Sequence, residues 1–265
     1  MEVFSRVFSV NCKFSNVYSL FTHKVWTKKD FCESQYLGLR YKMALKAVLF
    51  DLGLTLTKTA SFSEIYRRIL ARFGVKVSTD DIVRAQKATE SEFDIADYDE
   101  SRRKEIWTNY NVSILEKLGV KEKRVFLAEQ IDELWWECSH LQVYPDVEPT
   151  LSRLRAKGLK LGLVSNGFKQ DLQHVLGELG LKKWFDAVVC IDSCNCAKPD
   201  KEIFLYALDK LGVKPSEALF IGDSVMHDYE GAMNVGIKPL IIDREGKIPS
   251  QYDKIASLTE LLTIV

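Results

Sequence analysis

No apolar run in this sequence is long enough to cross a bilayer, for which about 20 residues are needed. Neither sign of charge is in excess, with Lys plus Arg and Asp plus Glu at 37 each. Without a global field there is nothing to draw in nucleic acid, so a soluble protein with neither a membrane nor a nucleic acid as partner is expected. The six cysteines, Cys12, Cys32, Cys138, Cys190, Cys194 and Cys196, lack the regular spacing of a disulfide framework or a zinc site. They read as reduced thiols in a cytoplasmic setting. Cys194-Asn195-Cys196 is read as a pair of incidental loop thiols, with a metal or redox pair as the sharper alternative. No internal repeat and no low-complexity tract is present. What the chain does have is length and apolar content: 265 residues, 46% hydrophobic, are enough for a sizeable core in one large domain or two modest ones.

Residues 1–42 stand apart. Basic residues outnumber acids, Ser and Phe are frequent, no apolar period is evident, and Met43 follows. The segment reads as a disordered N-terminal extension, or a stretch ahead of a natural start at Met43. An organelle-targeting peptide is the alternative.

Five short apolar runs, 45–50, 159–164, 187–191, 218–221 and 239–242, read as buried parallel strands. Between and after them, 146–157, 169–179, 201–211, 228–235 and 257–262 carry apolar residues at helical spacing, and Gly158, Gly180, Gly212 and Gly236 stop the first four. Strands alternating with helices imply βαβ units, hence an α/β fold with a doubly wound parallel sheet. Residues 59–141 break the rhythm with helical patterns alone, so a core of 43–58 and 142–265 is interrupted by an all-helical insertion. Ser61-Phe62-Ser63-Glu64 has the form of a capping box, Ser78 opens a second helix, and longer helices follow near 101–118 and 122–140. Trp107, Trp135 and Trp136 fall in this stretch. They read as helix-packing core, with one of them lining a substrate pocket as the alternative.

The polar residues of interest lie where the strands end. Asp51 follows the first run directly, Ser165-Asn166-Gly167 follows the second, Lys198-Pro199-Asp200 lies a few residues past the third, and Gly222-Asp223-Ser224 follows the fourth, with Asp228 close behind. Taken singly, these have plainer meanings: a turn or helix cap for Asp, a turn for Ser-Asn-Gly, a helix start for Lys-Pro-Asp. His227 likewise reads as a surface histidine at a helix start, with a place near the substrate as the alternative. Taken together, they gather at one spot, because ligands of open parallel sheets collect at the carboxyl ends of the strands.

The segments Phe50-Asp51-Leu52-Gly53-Leu54-Thr55-Leu56, Val164-Ser165-Asn166-Gly167, Lys198-Pro199-Asp200 and Ile221-Gly222-Asp223-Ser224-Val225-Met226-His227-Asp228 resemble the four ordered motifs of the haloacid-dehalogenase-like hydrolase superfamily. The resemblance runs from Met43 to the C-terminus. It implies a Rossmann-like core with the helical insertion as a cap, and a small phosphorylated metabolite as substrate. It also implies that Asp51 is the nucleophile that forms an aspartyl-phosphate, and that Mg²⁺ is held by Asp51, the Gly53 carbonyl, Asp223 and Asp228. Ser165, Asn166, Thr55 and Lys198 would contact the substrate, with Ser165 and Lys198 also serving catalysis. The chemistry asks for such a set: a carboxylate attacks phosphorus only when the negative charges are offset by a cation and fixed donors, and hard oxygen ligands suit Mg²⁺.

One position departs. Two residues after the nucleophile the resemblance predicts a second Asp, which protonates the leaving oxygen and then activates water, and here Gly53 stands instead. Leu54 also replaces a customary small Gly. General acid-base catalysis is worth about 10² to 10⁴-fold, so three readings follow: a phosphatase with slowed turnover or another proton donor such as Thr55 or His227, a binding or regulatory protein that keeps the fold, and a 2-haloacid dehalogenase-like hydrolase, which attacks carbon.

Overall fold

A strand covered on both faces needs apolar side chains at successive positions rather than at alternate ones. All of β1 (Ala47–Phe50) and β6 (Ala218–Gly222) is buried, and so is β4 (Lys160–Val164) beyond its first residue. The computed structural model describes residues 45–93 and 99–265; the reading of residues 1–42 lies outside the described residues. With β5 (Ala187–Val189), β7 (Lys238–Ile242) and β8 (Lys254–Ile255), these strands form a six-stranded sheet in the order β5-β4-β1-β6-β7-β8, parallel throughout. The short β8 was not expected. The chain builds outward from β1 to one side and then restarts at β6 on the other, so the order reverses between β1 and β6, where a crevice opens beyond the strand ends.

Alternate residues of β1 serve opposite layers. Val48 and Phe50 pack with Leu151 and Leu154 of α5 (Val147–Ala156) and with Leu172 and Val175 of α6 (Lys169–Glu178). Ala47 and Leu49 pack with Ile203, Phe204 and Ala207 on the other face. Those three belong to α8 (Lys201–Leu211), which follows the short α7 (Ile191–Cys194). Gly158 and Gly212 stand just past α5 and α8 with φ of 78° and 64°, the left-handed backbone that ends helices and suits glycine. Residues 228–235 do not form the regular helix expected. A wide π turn, Val225–Glu230, comes first and α9 (Gly231–Asn234) follows it; near the C-terminus a 3₁₀ turn, Leu258–Glu260, leads into α10 (Leu261–Ile264).

Among the described residues of 59–141 the regular structure is helical, as the periodicity predicts. The chain leaves and returns through β2 (Thr57–Lys58) and β3 (Gln142–Val143), a small antiparallel pair. Between them lie α1 (Phe62–Arg72), α2 (Thr79–Glu90), α3 (Arg103–Lys117) and α4 (Arg124–Cys138). Their shared core of Ile65, Ile69, Ile114 and Leu127 also takes in Phe168 and Ile191 from the sheet's connections, which seats the helices over the carboxyl ends of the strands. Ser61 and Ser78 cap α1 and α2 by accepting from the N–H groups of Glu64 and Asp81. The capping box is only half made, because the Glu64 carboxylate pairs with Arg67 and Arg68 instead.

Cys194 and Cys196 correct the expectation of reduced, incidental loop thiols: they are joined in a disulfide. Asn195 between them adopts φ of 51°, turning the chain so that the flanking Cα atoms lie 5.3 Å apart, within disulfide reach. Cys138 and Cys190 are free and buried. Among the described residues no helix is long and apolar enough to cross a membrane.

Candidate active site

β1 does not release the chain until Asp51, whose N–H donates to the Ile221 carbonyl of β6 at 2.8 Å. The turn that follows is closed by Leu54 N–H to the Thr57 carbonyl and by Leu56 and Thr57 N–H to the Leu52 carbonyl. Leu54 sits in it at φ 58°, so the backbone shape that a glycine would favour is kept by a leucine, at a cost of about 1–2 kcal/mol. Arg244, just past β7, anchors this turn. It donates to the Thr55 carbonyl at 2.8 Å and grips Asp146 with two bonds of 3.0 and 3.1 Å.

At the end of β6, glycine is needed for close approach. A Cβ on Gly222 would lie 2.2–2.5 Å from the Asp228 side chain, and the π turn, in which Asp228 and Tyr229 N–H both reach the Ser224 carbonyl, carries Asp228 into that space. Its Oδ2 accepts from Ser224 N–H at 2.9 Å, and its Oδ1 accepts from Lys198 Nζ at 2.7 Å. Lys198 Nζ also donates to Asp51 Oδ1 at 2.7 Å. The loop bearing Lys198 is fixed by Asn166, whose Oδ1 accepts from Lys198 N–H at 2.7 Å while its Nδ2 donates to the Lys198 carbonyl at 3.0 Å.

Asp51, Asp223 and Asp228 each offer a carboxylate oxygen, all within 4.8 Å of one another. Burial pushes the Asp51 carboxyl up to about 6, with Lys198 pulling it down and Asp228 pushing it up. Burial, then Asp51 and Asp228, raise Asp223 well above the ordinary carboxylate range. Burial works against the Lys198 charge, yet Asp228 and Asp51 together hold its ammonium above the usual range. Three carboxyls share one ammonium, and the raised Asp51 and Asp223 mark a site short of positive charge. Hard oxygen donors with that deficit fit a Mg²⁺ ion.

Asp51, Gly53, Ser165, Asn166, Lys198, Asp223 and Asp228 all line one cavity of about 40 Å³. Thr55 does not. It is fully buried inside the turn, and its hydroxyl has no hydrogen-bond partner among the described residues. The Asn166 amide is committed at both ends to the Lys198 main chain and acts as a clamp. His227 is corrected as well: it lies 4% exposed on the cavity wall with Nδ1 3.0 Å from Ser224 Oγ, because the wide turn rotates it inward where a regular helix start would leave it outside.

Asp171 of α6 lines the cavity with no local motif to mark it, and Trp136 of α4 lines it as well. Trp107 belongs to the insertion's core, with Trp135 packed against it, so the pocket-lining alternative holds for Trp136. Asp171 is held by Arg103 of α3, whose Nε and Nη2 donate to its Oδ2 and Oδ1 at 2.9 and 2.5 Å. The same guanidinium donates to both oxygens of Asp132 at 2.9 Å. No local pattern sets Arg103 apart in the sequence, since α4, α6 and α8 also open on a basic residue.

The family model of the haloacid dehalogenase-like hydrolases matches residues 45–236. The chain belongs to that family. Among curated members, a glyceraldehyde 3-phosphate phosphatase of Methanopyrus kandleri is 31% identical over 77% of this chain and 85% of its own length. Among solved structures, a haloacid dehalogenase-like phosphatase from Thermococcus onnurineus aligns at 31% identity and TM-score 0.57, over 83% of this chain and 97% of that one. A 2-haloacid dehalogenase from Pseudomonas syringae aligns at 26% identity and TM-score 0.60, also over 83% and 97%. In this haloacid dehalogenase-like chain the four motif loops meet at the switch point between β1 and β6, and α3 and α4 of the insertion add Trp136 and the Arg103 cluster beside them.

Proposed function

We propose that this protein is a Mg²⁺-dependent phosphatase of small phosphorylated metabolites that works through an aspartyl-phosphate on Asp51. The observation that carries the reading is the Lys198 ammonium 2.7 Å from both Asp51 and Asp228, with the Asp223 carboxylate in the same group. The phosphatases among its relatives support it. Asp51, Asp223, Asp228 and the Gly53 carbonyl would hold Mg²⁺, which would offset the negative charge that otherwise repels a phosphate. Residues 59–141 act as the cap over a core of 43–58 and 142–265.

Lys198 keeps Asp51 ionised and aimed. A carboxylate oxygen of Asp51 attacks phosphorus, the bond from phosphorus to the leaving oxygen breaks, and the Ser165 hydroxyl donates to a phosphoryl oxygen while accepting from Gly167 N–H at 3.3 Å. Water then attacks the phosphoryl group, releasing phosphate and restoring the Asp51 carboxylate. Gly53 has no proton to give to the leaving oxygen, so solvent supplies it and the rate follows the acidity of the leaving group.

Gly53 also favours a second reading, a regulatory protein that binds Mg²⁺ and a phosphorylated ligand with little turnover. The dehalogenase reading has less support, since attack on carbon has no use for Asp223 and Asp228 crowded against Asp51. Phosphate release from a panel of esters separates the three. The phosphatase hydrolyses aryl phosphates faster than alkyl phosphates and stops with EDTA. Mg²⁺ binding without turnover points to the regulatory protein, and halide release from a haloacid to the dehalogenase. Gly53→Asp should raise alkyl-ester turnover by about 10 to 10²-fold; an unchanged rate would show that another group already supplies the proton.

A further inference from the structure

We infer that the substrate's leaving group is uncharged and presents an apolar face to Trp136, so that phosphate esters bearing a carboxylate or a second phosphate are rejected. This rests on the phosphatase reading and narrows its substrate class. Beyond the phosphoryl end, the cavity wall is built from Leu54, Trp136, Leu172 and Val175, with Asp171 as its acid. Trp136 is half-buried and lies 5.9 Å, centroid to centroid, from the His174 ring.

Nothing on that wall is available to receive an anion. Among the described lining residues the only lysine or arginine is Lys198, which is 3% exposed and donates to both Asp51 and Asp228. His227 also lines the cavity, next in sequence to Asp228, with its Nδ1 against Ser224 Oγ. The nearest guanidinium, Arg103, has its fork filled by Asp171 and Asp132. A carboxylate on the leaving group would have to lie beside Asp171 without a cation, or separate Arg103 from a buried partner. A buried charge without a partner is costly, whereas a neutral ring or chain against Trp136 gains from apolar burial.

The experiment compares phenyl phosphate with 4-carboxyphenyl phosphate, which differ in a remote charge more than in the leaving oxygen. With Mg²⁺, kcat/KM should be at least about tenfold lower for the carboxylated ester; equal values or the reverse order overturn the inference. Trp136→Leu should raise KM for phenyl phosphate by about three- to tenfold with kcat changed less than about twofold, and Trp136→Phe should restore it. Unchanged KM in Trp136→Leu removes the indole from the argument and sinks that part of it. Calorimetry with phenylphosphonate and 4-carboxyphenylphosphonate, in the presence of Mg²⁺, reads the same selectivity without turnover. Tighter binding of the uncharged phosphonate by a protein that hydrolyses neither ester would sustain the inference while ending the phosphatase reading. Equal binding, or none of either compound, would end the inference.

Discussion

Two buried ion clusters face the same cavity, and they are built from nearly the same parts. In one, Lys198 sits between Asp51 and Asp228; in the other, Arg103 sits between Asp171 and Asp132. The difference lies in the cation. A guanidinium is a rigid fork, and here it engages both oxygens of each of its two carboxylates. An ammonium is a compact point charge: it touches one oxygen of Asp51 and one of Asp228, and the third acid, Asp223, lies beside them. The arginine cluster is saturated and serves to join the insertion to α6, whereas the lysine cluster retains oxygens that can attack or coordinate. One cation between two carboxylates therefore yields a strut in one place and a reactive centre in the other.

The largest test of that contrast is Asp51→Asn, which should lower Mg²⁺-dependent turnover by at least about 10³-fold while leaving urea denaturation close to wild type. Residual activity above that level would move the nucleophile elsewhere. Arg103→Leu should do the opposite, costing about 3 kcal/mol of stability because the buried Asp171 and the part-buried Asp132 lose their partner. A denaturation midpoint that does not shift would show that the arginine cluster is no strut. Gly222→Ala comes next. Its methyl group must push against the Asp228 carboxyl, so Mg²⁺ affinity by calorimetry should fall about 10 to 100-fold with the fold intact, and an unchanged affinity would take Asp228 out of the metal's surroundings.

The smallest effect comes from a third pair, Arg244 with Asp146, as exposed as Arg103 with Asp132. Burial works against the Asp146 charge, but Arg244, the Leu258 N–H and Ser257 outweigh it and hold the carboxyl below its ordinary range. A carboxyl with a depressed folded pKa lends stability above its unfolded value, near pH 3.9, and loses it as pH falls through the folded value. Asp146→Asn should therefore cost about 1 kcal/mol at pH 7, the screening of a half-buried pair included. The gap from wild type should close towards pH 3, and one that widens as pH falls would reverse the sign of the argument.

The four strand-end loops were legible because each is written locally: an apolar run, a polar tip, a glycine or proline beside it. Their convergence followed from the parallel topology, and the observed strand order sets it between β1 and β6. What escaped depends on geometry that no local pattern records. The motif places Thr55 beside the substrate, yet the left-handed Leu54 turn folds its side chain inside. His227 reads as a surface histidine at a helix start, and the wide turn after Ser224, in place of a regular helix, leaves it buried. Trp136 and Asp171 come from helices 35 residues apart in sequence and meet only through packing of the insertion on the sheet. Trp136 reads as helix-packing core and Asp171 carries no local signal, so the cavity that they share is set by tertiary packing alone.

The grip of Asn166 on the Lys198 main chain has a practical consequence for anyone rebuilding the site. Both ends of one amide hold both polar atoms of one residue's backbone, so the second and third motif loops form a single transplantable part. A lysine loop grafted into another scaffold without its asparagine would keep the ammonium and lose its address, and exchanging the pair together is the smallest edit that moves the charge with its bearings.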